Sequence, residues 1–229
     1  MTKILSSLLL GALFSLGASA SGLAQSLPAD FNGVWQVAKP TPRLTTIAGK
    51  TPPLLPGAAA AYAKTSAQFA AGDRSFDPSS TMCKPPGEPR TQNEGMPFDI
   101  TQGPARIIVG YQWNRLVRFI SVGKDVSPLG PTYFGTSNAH WNGSTLVVDV
   151  IGFNNEFFLD QAGMPHSDQL HLTEWYSLAD GGSILREKIR FDDPETFSAP
   201  WDTVLTYKKL PGARIAEDIC EVRIGLYKG

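Results

Sequence analysis

The side chains best suited to acid–base chemistry are concentrated between residues 135 and 176. This stretch holds all three histidines and two of the five tryptophans. His166 lies in the turn Gly163-Met164-Pro165-His166-Ser167-Asp168, which leads into a strand. A loop histidine beside a carboxylate is a candidate general acid or base, because its reference pKa lies near neutral pH. A solvated side chain that caps the turn explains the same pattern.

Side-chain alternation places three ionisable groups on the apolar faces of predicted strands. They are Asp149 with Val147 and Ile151, Glu174 with Tyr176, Leu170, Leu172 and Leu178, and Arg118 with Leu116, Ile120 and Val122. A buried charge is costly unless it is paired, so we expect these groups to meet or to line a wet cavity. Two interpretations stay open: a salt-bridge network that fixes strand register, or a polar cluster at the floor of a ligand pocket.

Aromatic residues indicate the kind of ligand. Most of them must be core, but a surplus near a barrel mouth suits a small apolar or aromatic molecule held by stacking. The candidate ligand-binding residues are Tyr133, His140, Trp141, Phe153, Asn154 and Tyr176. Alternation cannot decide whether His140 points into such a pocket, because it lies next to a turn. His171 falls on the polar face of its strand and is interpreted as structural.

Several chemistries lack their motifs. His166, Asp168 and His171 do not have the spacing of a known metal cluster. The chain has no serine-hydrolase elbow, phosphate-binding loop or dinucleotide fingerprint. We therefore expect a protein that uses neither a metal nor a cofactor.

The start of the chain indicates export. Lys3 precedes an apolar run over residues 4–16 and then small residues, which is typical of a signal peptide cleaved after Ala20 or Ala24. The run is far shorter than the ~20 apolar residues that span a membrane. We expect a periplasmic or secreted protein without membrane insertion, with a signal peptide over 1–24 and one domain over 25–229. The formal charge of −1 gives no field that would attract nucleic acid; association into a homo-oligomer stays open.

Cys83 and Cys220 are the two cysteines of the chain. In an oxidising compartment they are expected to form one disulfide. It would close a loop of more than a hundred residues, for which loop entropy predicts roughly 4–5 kcal/mol of stabilisation. A thiol nucleophile is the alternative, but no neighbouring histidine supports it.

Periodicity predicts a β-rich body behind a proline-rich front. Residues 38–56 hold five prolines and read as an extended surface segment, and residues 58–71 read as one helix. Strands are predicted over 31–37, 98–101, 106–111, 115–122, 132–141, 145–153, 170–178, 184–191, 202–208 and 219–227. Asn142-Gly143 and Asp180-Gly181-Gly182 are the hairpin turns. The fold class expected is mainly β, an antiparallel barrel or sandwich with one short helix.

Gly33-x-Trp35 on the first strand resembles the opening of the lipocalin-like (calycin) barrels. The resemblance implies that the tryptophan packs across the barrel floor against an arginine of the last strand. Arg223 is the matching candidate, because it is the only arginine in the predicted strand 219–227.

Longer segments resemble a bacterial family of exported, mostly uncharacterised proteins. That family carries a W-x-G-x-TLVVD-x-x-GF hairpin, then H-S-x-x-L-x-x-x-E and DP-x-x-F-x-x-PW. The matching residues are Trp141, Gly143, Leu146, Val147, Val148, Asp149, Gly152, Phe153, His166, Ser167, Leu170, Glu174, Asp193, Pro194, Pro200 and Trp201, with Cys83, Pro86, Gly87, Pro89 and Arg90 earlier. The chain departs from the pattern at Asn142, Ser144 and Trp175. The resemblance implies an extracytoplasmic β fold and no particular activity.

Two functions follow. The first is a cofactor-independent lyase or isomerase that transfers protons on a small hydrophobic or aromatic compound. His166 would be its base or acid, Asp149 and Glu174 would tune or relay the proton, and Arg118 would steady a developing anion. The second is a binding protein that captures the same class of ligand without converting it.

Overall fold

The computed structural model describes residues 27–226, so the predicted signal peptide over 1–24 lies outside the described residues. Among the described residues nine strands form a closed barrel in chain order, in which the first strand also pairs with the last. They are β1 (Gly33–Val37), β2 (Phe98–Gln102), β3 (Arg106–Tyr111), β4 (Val117–Val122), β5 (Thr136–Asn142), β6 (Thr145–Ile151), β7 (His171–Ala179), β8 (Ile184–Asp192) and β9 (Trp201–Lys209). The predicted mainly-β barrel is confirmed.

One helix of several turns, α1 (Pro56–Ala70), contacts the connection between β6 and β7. Proline at its first position and Gly72, with φ +82° just past its end, are the expected boundary residues. Its buried residue is Tyr62, whose hydroxyl donates a 2.7 Å hydrogen bond to Asp160. Three single-turn α-helices are also present, α2 (Pro78–Thr81), α3 (Arg90–Asn93) and α4 (Cys220–Arg223), with short 3₁₀ helices at Trp113–Arg115 and Asp180–Gly182.

One strand pair departs from the predicted antiparallel order. β4 and β5 are parallel, and only three residues of each are paired, from Ile120↔Ser137 to Val122↔Ala139. Two neighbouring strands can be parallel only if the connection between them brings the chain back to the end of the barrel where β4 begins. Residues 123–135 make that return, and β4 residues 117–119 lie beyond the ladder with β5. This ladder is as short as those that β1 forms with β2 and with β9, which also pair three residues of each strand.

The hairpin of β5 and β6 turns one residue later than predicted. Asn142 pairs with Thr145, so Gly143 and Ser144 are the central residues, and of these two Gly143 has a positive φ of +59°. Glycine adopts this conformation without steric cost. The second predicted turn, at 180–182, joins β7 to β8 as expected.

The predicted last strand over 219–227 is wrong. Cys220–Arg223 is the helix α4, and the barrel closes instead through β9. Arg223 lies with its guanidinium 5.1 Å from the ring centre of Trp113. Trp35 is covered instead by Lys209 of β9, whose Nζ lies 5.2 Å from its ring centre. A short apolar run cannot distinguish strand from helix by periodicity alone.

The predicted disulfide is present and links Cys83 to Cys220. It ties α4 to the segment over residues 83–95, which covers one end of the barrel and sends Glu88 and Gln92 into its interior. Gly87 allows this close approach, because a Cβ there would lie 2.3 Å from the ring of Phe157. The disulfide thus fixes a segment that contributes to the barrel interior. It is also compatible with an exported protein.

No helix between residues 27 and 226 is both long enough and apolar enough to cross a membrane.

Candidate functional site

Ionisable and hydroxyl side chains meet inside the barrel, surrounded by its apolar core. We name them the interior cluster: Glu88, Tyr111, Arg118, Glu174, Tyr176, Glu187 and Tyr207, all of them buried. Five strands and the 83–95 segment supply these residues. The strand residues of the cluster lie on the inward sides of their strands, as Glu187 does between Leu185 and Ile189.

Arg118 joins the carboxylates at one side of the interior cluster. Its Nη2 donates a 2.8 Å hydrogen bond to Oε2 of Glu174, and its Nε donates one of 3.0 Å to Oγ of Ser137. Its Nη1 lies 3.6 Å from Oε1 of Glu88, within ion-pair distance but beyond a hydrogen bond. The guanidinium therefore bridges two carboxyl groups from distant parts of the chain.

Tyrosine hydroxyls continue the network to the other side of the barrel. The Tyr176 hydroxyl lies 2.7 Å from Oε1 of Glu187 and 3.1 Å from Oε2 of Glu174. Tyr207 donates to the second oxygen of Glu187, and Tyr111 donates to Glu88. A continuous hydrogen-bonded path thus runs from Glu187 through Tyr176 to Glu174, a path that can carry a proton.

The charges of the interior cluster do not balance if every group is ionised, since three carboxyl groups face one guanidinium. Burial raises the pKa of Glu187 to about 8, and the neighbouring charges of Glu174 and Glu88 add to that effect. Burial also raises the pKa of Glu88, with Arg118 opposing the increase. Glu187 therefore holds a proton at neutral pH, and Tyr176 connects it to Glu174.

Two buried polar atoms of the interior cluster make no hydrogen bond within the described residues. They are Nη1 of Arg118 and Oε1 of Glu174. Both flank the same 2.8 Å hydrogen bond between these side chains. Buried polar atoms are nearly always hydrogen-bonded, so an adjacent donor and acceptor left open indicate a place for water or a ligand.

A groove with a volume of ≈ 650 Å³ lies where β4 and β5 separate. That volume is within the range of small-molecule sites. Phe119, Leu129 and Phe134 form its apolar side, while Arg118 and Ser137 line it from the barrel interior. The ring of Phe134 stacks on Tyr111 of the interior cluster, with ring centres 5.4 Å apart and planes 11° apart. The groove thus reaches the interior cluster from outside.

The barrel interior itself is nearly filled. A cavity of ≈ 10 Å³ lies beside Gln92 and Tyr176 and is lined otherwise by apolar side chains. That volume suits about one water molecule. A larger ligand therefore requires a side chain to move.

Of the four predicted catalytic residues, the structure brings two together. Arg118 and Glu174 form the ion pair of the interior cluster, with the predicted ligand-binding residue Tyr176 beside them. The expected inward position of Asp149 is wrong. Its carboxylate lies on the outer surface, 3.1 Å from Nε2 of His171. Strand β6 is apolar on both sides, so alternation showed which residues share a side but not which side is inward.

His166 is buried in a separate apolar environment. Its Nδ1 lies 2.9 Å from the carbonyl oxygen of Ser167, and its ring centre is 4.1 Å from that of Phe157. Burial lowers the pKa of His166, which favours the neutral ring. No hydrogen bond within the described residues connects it to the interior cluster. It is neither a solvated turn residue nor a partner of Glu174.

The other predicted ligand-binding residues are dispersed. The Tyr133 hydroxyl donates a hydrogen bond to the side chain of Glu156. The side-chain oxygen of Asn154 accepts a hydrogen bond from the backbone N–H of Glu156. His140 is exposed on the outer side of β5. Trp141 is half-buried and stacks on Phe31, with ring centres 5.6 Å apart.

Phe153 is fully buried in the core, with its ring centre 6.0 Å from that of Phe157. The predicted set therefore does not line one pocket. Tyr176 is the member that contacts the interior cluster.

Sequence reasoning missed Glu187 and Tyr207, although a signal for them existed. Glu187 alternates with Leu185, Ile189 and Phe191 on one side of β8. The same argument that selected Glu174 would have selected it. Glu88 gave no such signal, because it lies in a proline-rich turn and reaches the barrel only through the tertiary fold.

Between residues 27 and 226, no group of three or more histidine, cysteine, aspartate or glutamate side chains is placed to hold a metal ion.

In comparisons with known proteins, no family model matches the chain and no curated protein matches it. The two family resemblances therefore stay predictions, and a function must be argued from the site itself.

Proposed function

We propose that this protein is an exported, cofactor-independent lyase or isomerase that transfers protons on a small hydrophobic or aromatic compound bound in the barrel. One observation carries the proposal: Nη1 of Arg118 and Oε1 of Glu174 are buried and make no hydrogen bond in the described residues, although their side chains are joined by a 2.8 Å hydrogen bond. Both side chains belong to a network in which Glu187 holds a proton at neutral pH, and Arg118 lines the groove between β4 and β5.

We assign the proposed proton-transfer step to Glu174. Its Oε1 is open to accept a proton from a bound molecule, while Oε2 stays hydrogen-bonded to Arg118. Nη1 of Arg118 can donate a hydrogen bond to negative charge that develops on the substrate. The path through Tyr176 connects Glu174 to the proton held by Glu187. His166, which forms no hydrogen bond with this network, has no part in the proposed step.

Export is supported by two observations. The first is the predicted signal peptide, and the second is the disulfide between Cys83 and Cys220. Disulfides persist in oxidising compartments outside the cytosol. We therefore place the protein in the periplasm or outside the cell.

Proton transfer can be tested before the natural substrate is known. Small aromatic and aliphatic carbonyl compounds are incubated with the protein in D₂O, and deuterium incorporation is followed by NMR. We expect exchange with the wild type and a loss of about a hundred- to ten-thousand-fold in Glu174→Gln, since a positioned proton-transfer group contributes that much. Glu195→Gln, a substitution at an exposed residue, is the matched control and should exchange like the wild type.

Folding is checked in each variant by circular dichroism and thermal unfolding. Tyr176→Phe, which keeps the ring and removes the hydroxyl, serves if Glu174→Gln does not fold. Exchange that is equal in wild type and all variants would contradict the proposal.

A binding protein for the same class of compound is the second candidate. The closed interior favours it, because a cavity of ≈ 10 Å³ leaves a ligand in the groove without direct access to Glu174. If the protein retains a compound tightly but catalyses no deuterium exchange, the binding function is favoured over the enzyme.

A further inference from the structure

Resting on the proposed function, we propose that the site takes an uncharged aromatic carbonyl compound, which reaches the interior cluster between β4 and β5 by displacing the ring of Phe134 from Tyr111. Three features of the structure support this proposal: the groove between β4 and β5, the position of Phe134, and the charge already present at Arg118.

The groove makes the boundary between β4 and β5 the proposed route into the barrel. The ladder there is three residues long, as are the two ladders of β1, but residues 117–119 of β4 extend beyond it and line the groove. The groove at this position is apolar on its outer side, where Phe119 is 58% exposed and Leu129 is fully exposed. An aromatic molecule would cover this exposed apolar surface. At the inner end of the groove lie Arg118 and Ser137, which are both buried.

Phe134 closes the inner end of the groove. It lies outside the strands, on the connection that returns from β4 to β5, and it is only half-buried. Its ring stacks nearly parallel on Tyr111. A ligand ring in the same position would make the same stacking contact, which offsets part of the cost of displacing Phe134. The next residue, Gly135, has φ +60° and packs against the carbonyl oxygen of Ile151, which fixes the backbone behind the ring.

A ring stacked on Tyr111 brings its substituent close to Arg118. The Tyr111 hydroxyl donates to Oε1 of Glu88, and the same oxygen lies 3.6 Å from Nη1 of Arg118. The open donor of the guanidinium is therefore next to the phenol end of Tyr111. A carbonyl oxygen on the ligand ring would accept a hydrogen bond there.

The charges already present around Arg118 favour a ligand whose polar group is uncharged. Its guanidinium is already paired with the Glu174 carboxylate at 2.8 Å. A ligand carboxylate would add a second negative charge beside Glu174 and Glu88 in a buried site, where unbalanced charge is costly. A ligand ammonium would place a second positive charge beside the buried guanidinium. A neutral carbonyl gives Nη1 an acceptor and leaves the charge balance unchanged.

The same orientation defines the reaction. Oε1 of Glu174 removes a proton from the carbon next to the carbonyl group. The C–H electron pair becomes a C=C bond, and the C=O electron pair moves to the oxygen, which accepts a hydrogen bond from Nη1 of Arg118 as an enolate. An isomerase returns the proton from Glu174 to another carbon of the conjugated system. A lyase uses the enolate pair to expel a substituent from the neighbouring carbon.

The inference is tested with three probes of similar shape: acetophenone, benzoate and benzylamine. Binding to the full chain is measured by ligand-observed NMR titration. We expect acetophenone to bind at least about tenfold more tightly than the two charged probes. Benzoate or benzylamine binding as tightly as acetophenone, or no binding by acetophenone, would overturn the inference.

Two aromatic residues of the groove form a matched pair of variants. Phe134→Ala should tighten acetophenone binding about tenfold, because the ligand no longer has to displace a ring. Phe119→Ala, which removes an exposed groove ring without stacking on Tyr111, should not tighten it. Weaker binding in Phe134→Ala would show that the ligand packs on Phe134 at the surface and would overturn the displacement. The expected binding pattern without deuterium exchange would overturn the proton-transfer function and leave the access route in place.

Discussion

Glu187→Gln tests whether the barrel buries a protonated carboxyl group. The pKa of Glu187 is raised from 4.5 to about 8, chiefly by burial. The folded state therefore holds this proton more strongly than the unfolded chain does. The protonated Glu187 contributes its full stabilising free energy to folding below pH 4.5, and this contribution is lost as the pH rises to about 8. A tenfold change in acidity is worth about 1.4 kcal/mol, so the loss reaches about 5 kcal/mol across this interval.

Glutamine resembles the protonated form of Glu187, because it keeps one acceptor oxygen and offers a donor to the tyrosine hydroxyls. The variant cannot ionise, so its free energy of unfolding should depend less on pH. We expect Glu187→Gln to be close to the wild type at pH 5 and more stable than the wild type at pH 8. Burial also raises the pKa values of Glu94 and Asp160, so a smaller slope of the same sign should persist in the variant.

Urea unfolding at pH 5, 6, 7 and 8, followed by circular dichroism, measures the free energy directly. As the pH rises, the free energy of unfolding should fall more steeply for the wild type than for Glu187→Gln, by up to about 1.4 kcal/mol per pH unit. Glu195→Gln at an exposed position should leave the slope of the wild type unchanged. Parallel profiles for the wild type and Glu187→Gln would refute a buried proton at this position.

Three further variants test the hydrogen-bonded path, the disulfide and a surface ion pair in turn. Tyr176→Phe removes the hydroxyl between Glu187 and Glu174, so exchange in D₂O should fall at least about tenfold while the stability measured in urea falls by roughly 1–3 kcal/mol. Replacing both Cys83 and Cys220 by alanine opens a loop of 137 residues and should lower the stability by about 4–5 kcal/mol; an unchanged melting temperature would contradict this. Asp149→Asn alters an exposed ion pair, so it should change stability by less than about 1 kcal/mol and leave exchange intact.

The strands were predictable where the chain gives a period of two and a turn signal at each end. Both hairpins have a clear turn signal; the turn at 180–182 lies where the sequence indicates, and the turn at 143–144 lies one residue later than predicted. The parallel pairing of β4 and β5 was not predictable, because nothing in residues 123–135 shows that the chain returns across the barrel. Strand pairing depends on long-range contacts, whereas strand formation is largely local.

Alternation also located part of the site. It placed Arg118 and Glu174 on apolar sides of their strands, and they meet inside the barrel. The same reasoning misplaced Asp149, since hydrophobic residues cover both sides of β6. Glu88 could not be found in this way, because it lies outside the strands and enters the barrel interior only in the folded chain.

The composition of the interior cluster favours the proposed function over a network that only fixes strand register. One carboxylate for one guanidinium is sufficient to fix register, as Arg118 and Glu174 provide at 2.8 Å. The barrel buries two more carboxyl groups, at Glu88 and Glu187, and burial raises the pKa of both. Hydrophobic side chains of similar size would serve the fold better at those positions. Buried protons beside an open donor and an open acceptor weaken the fold at alkaline pH, but they are what proton transfer requires.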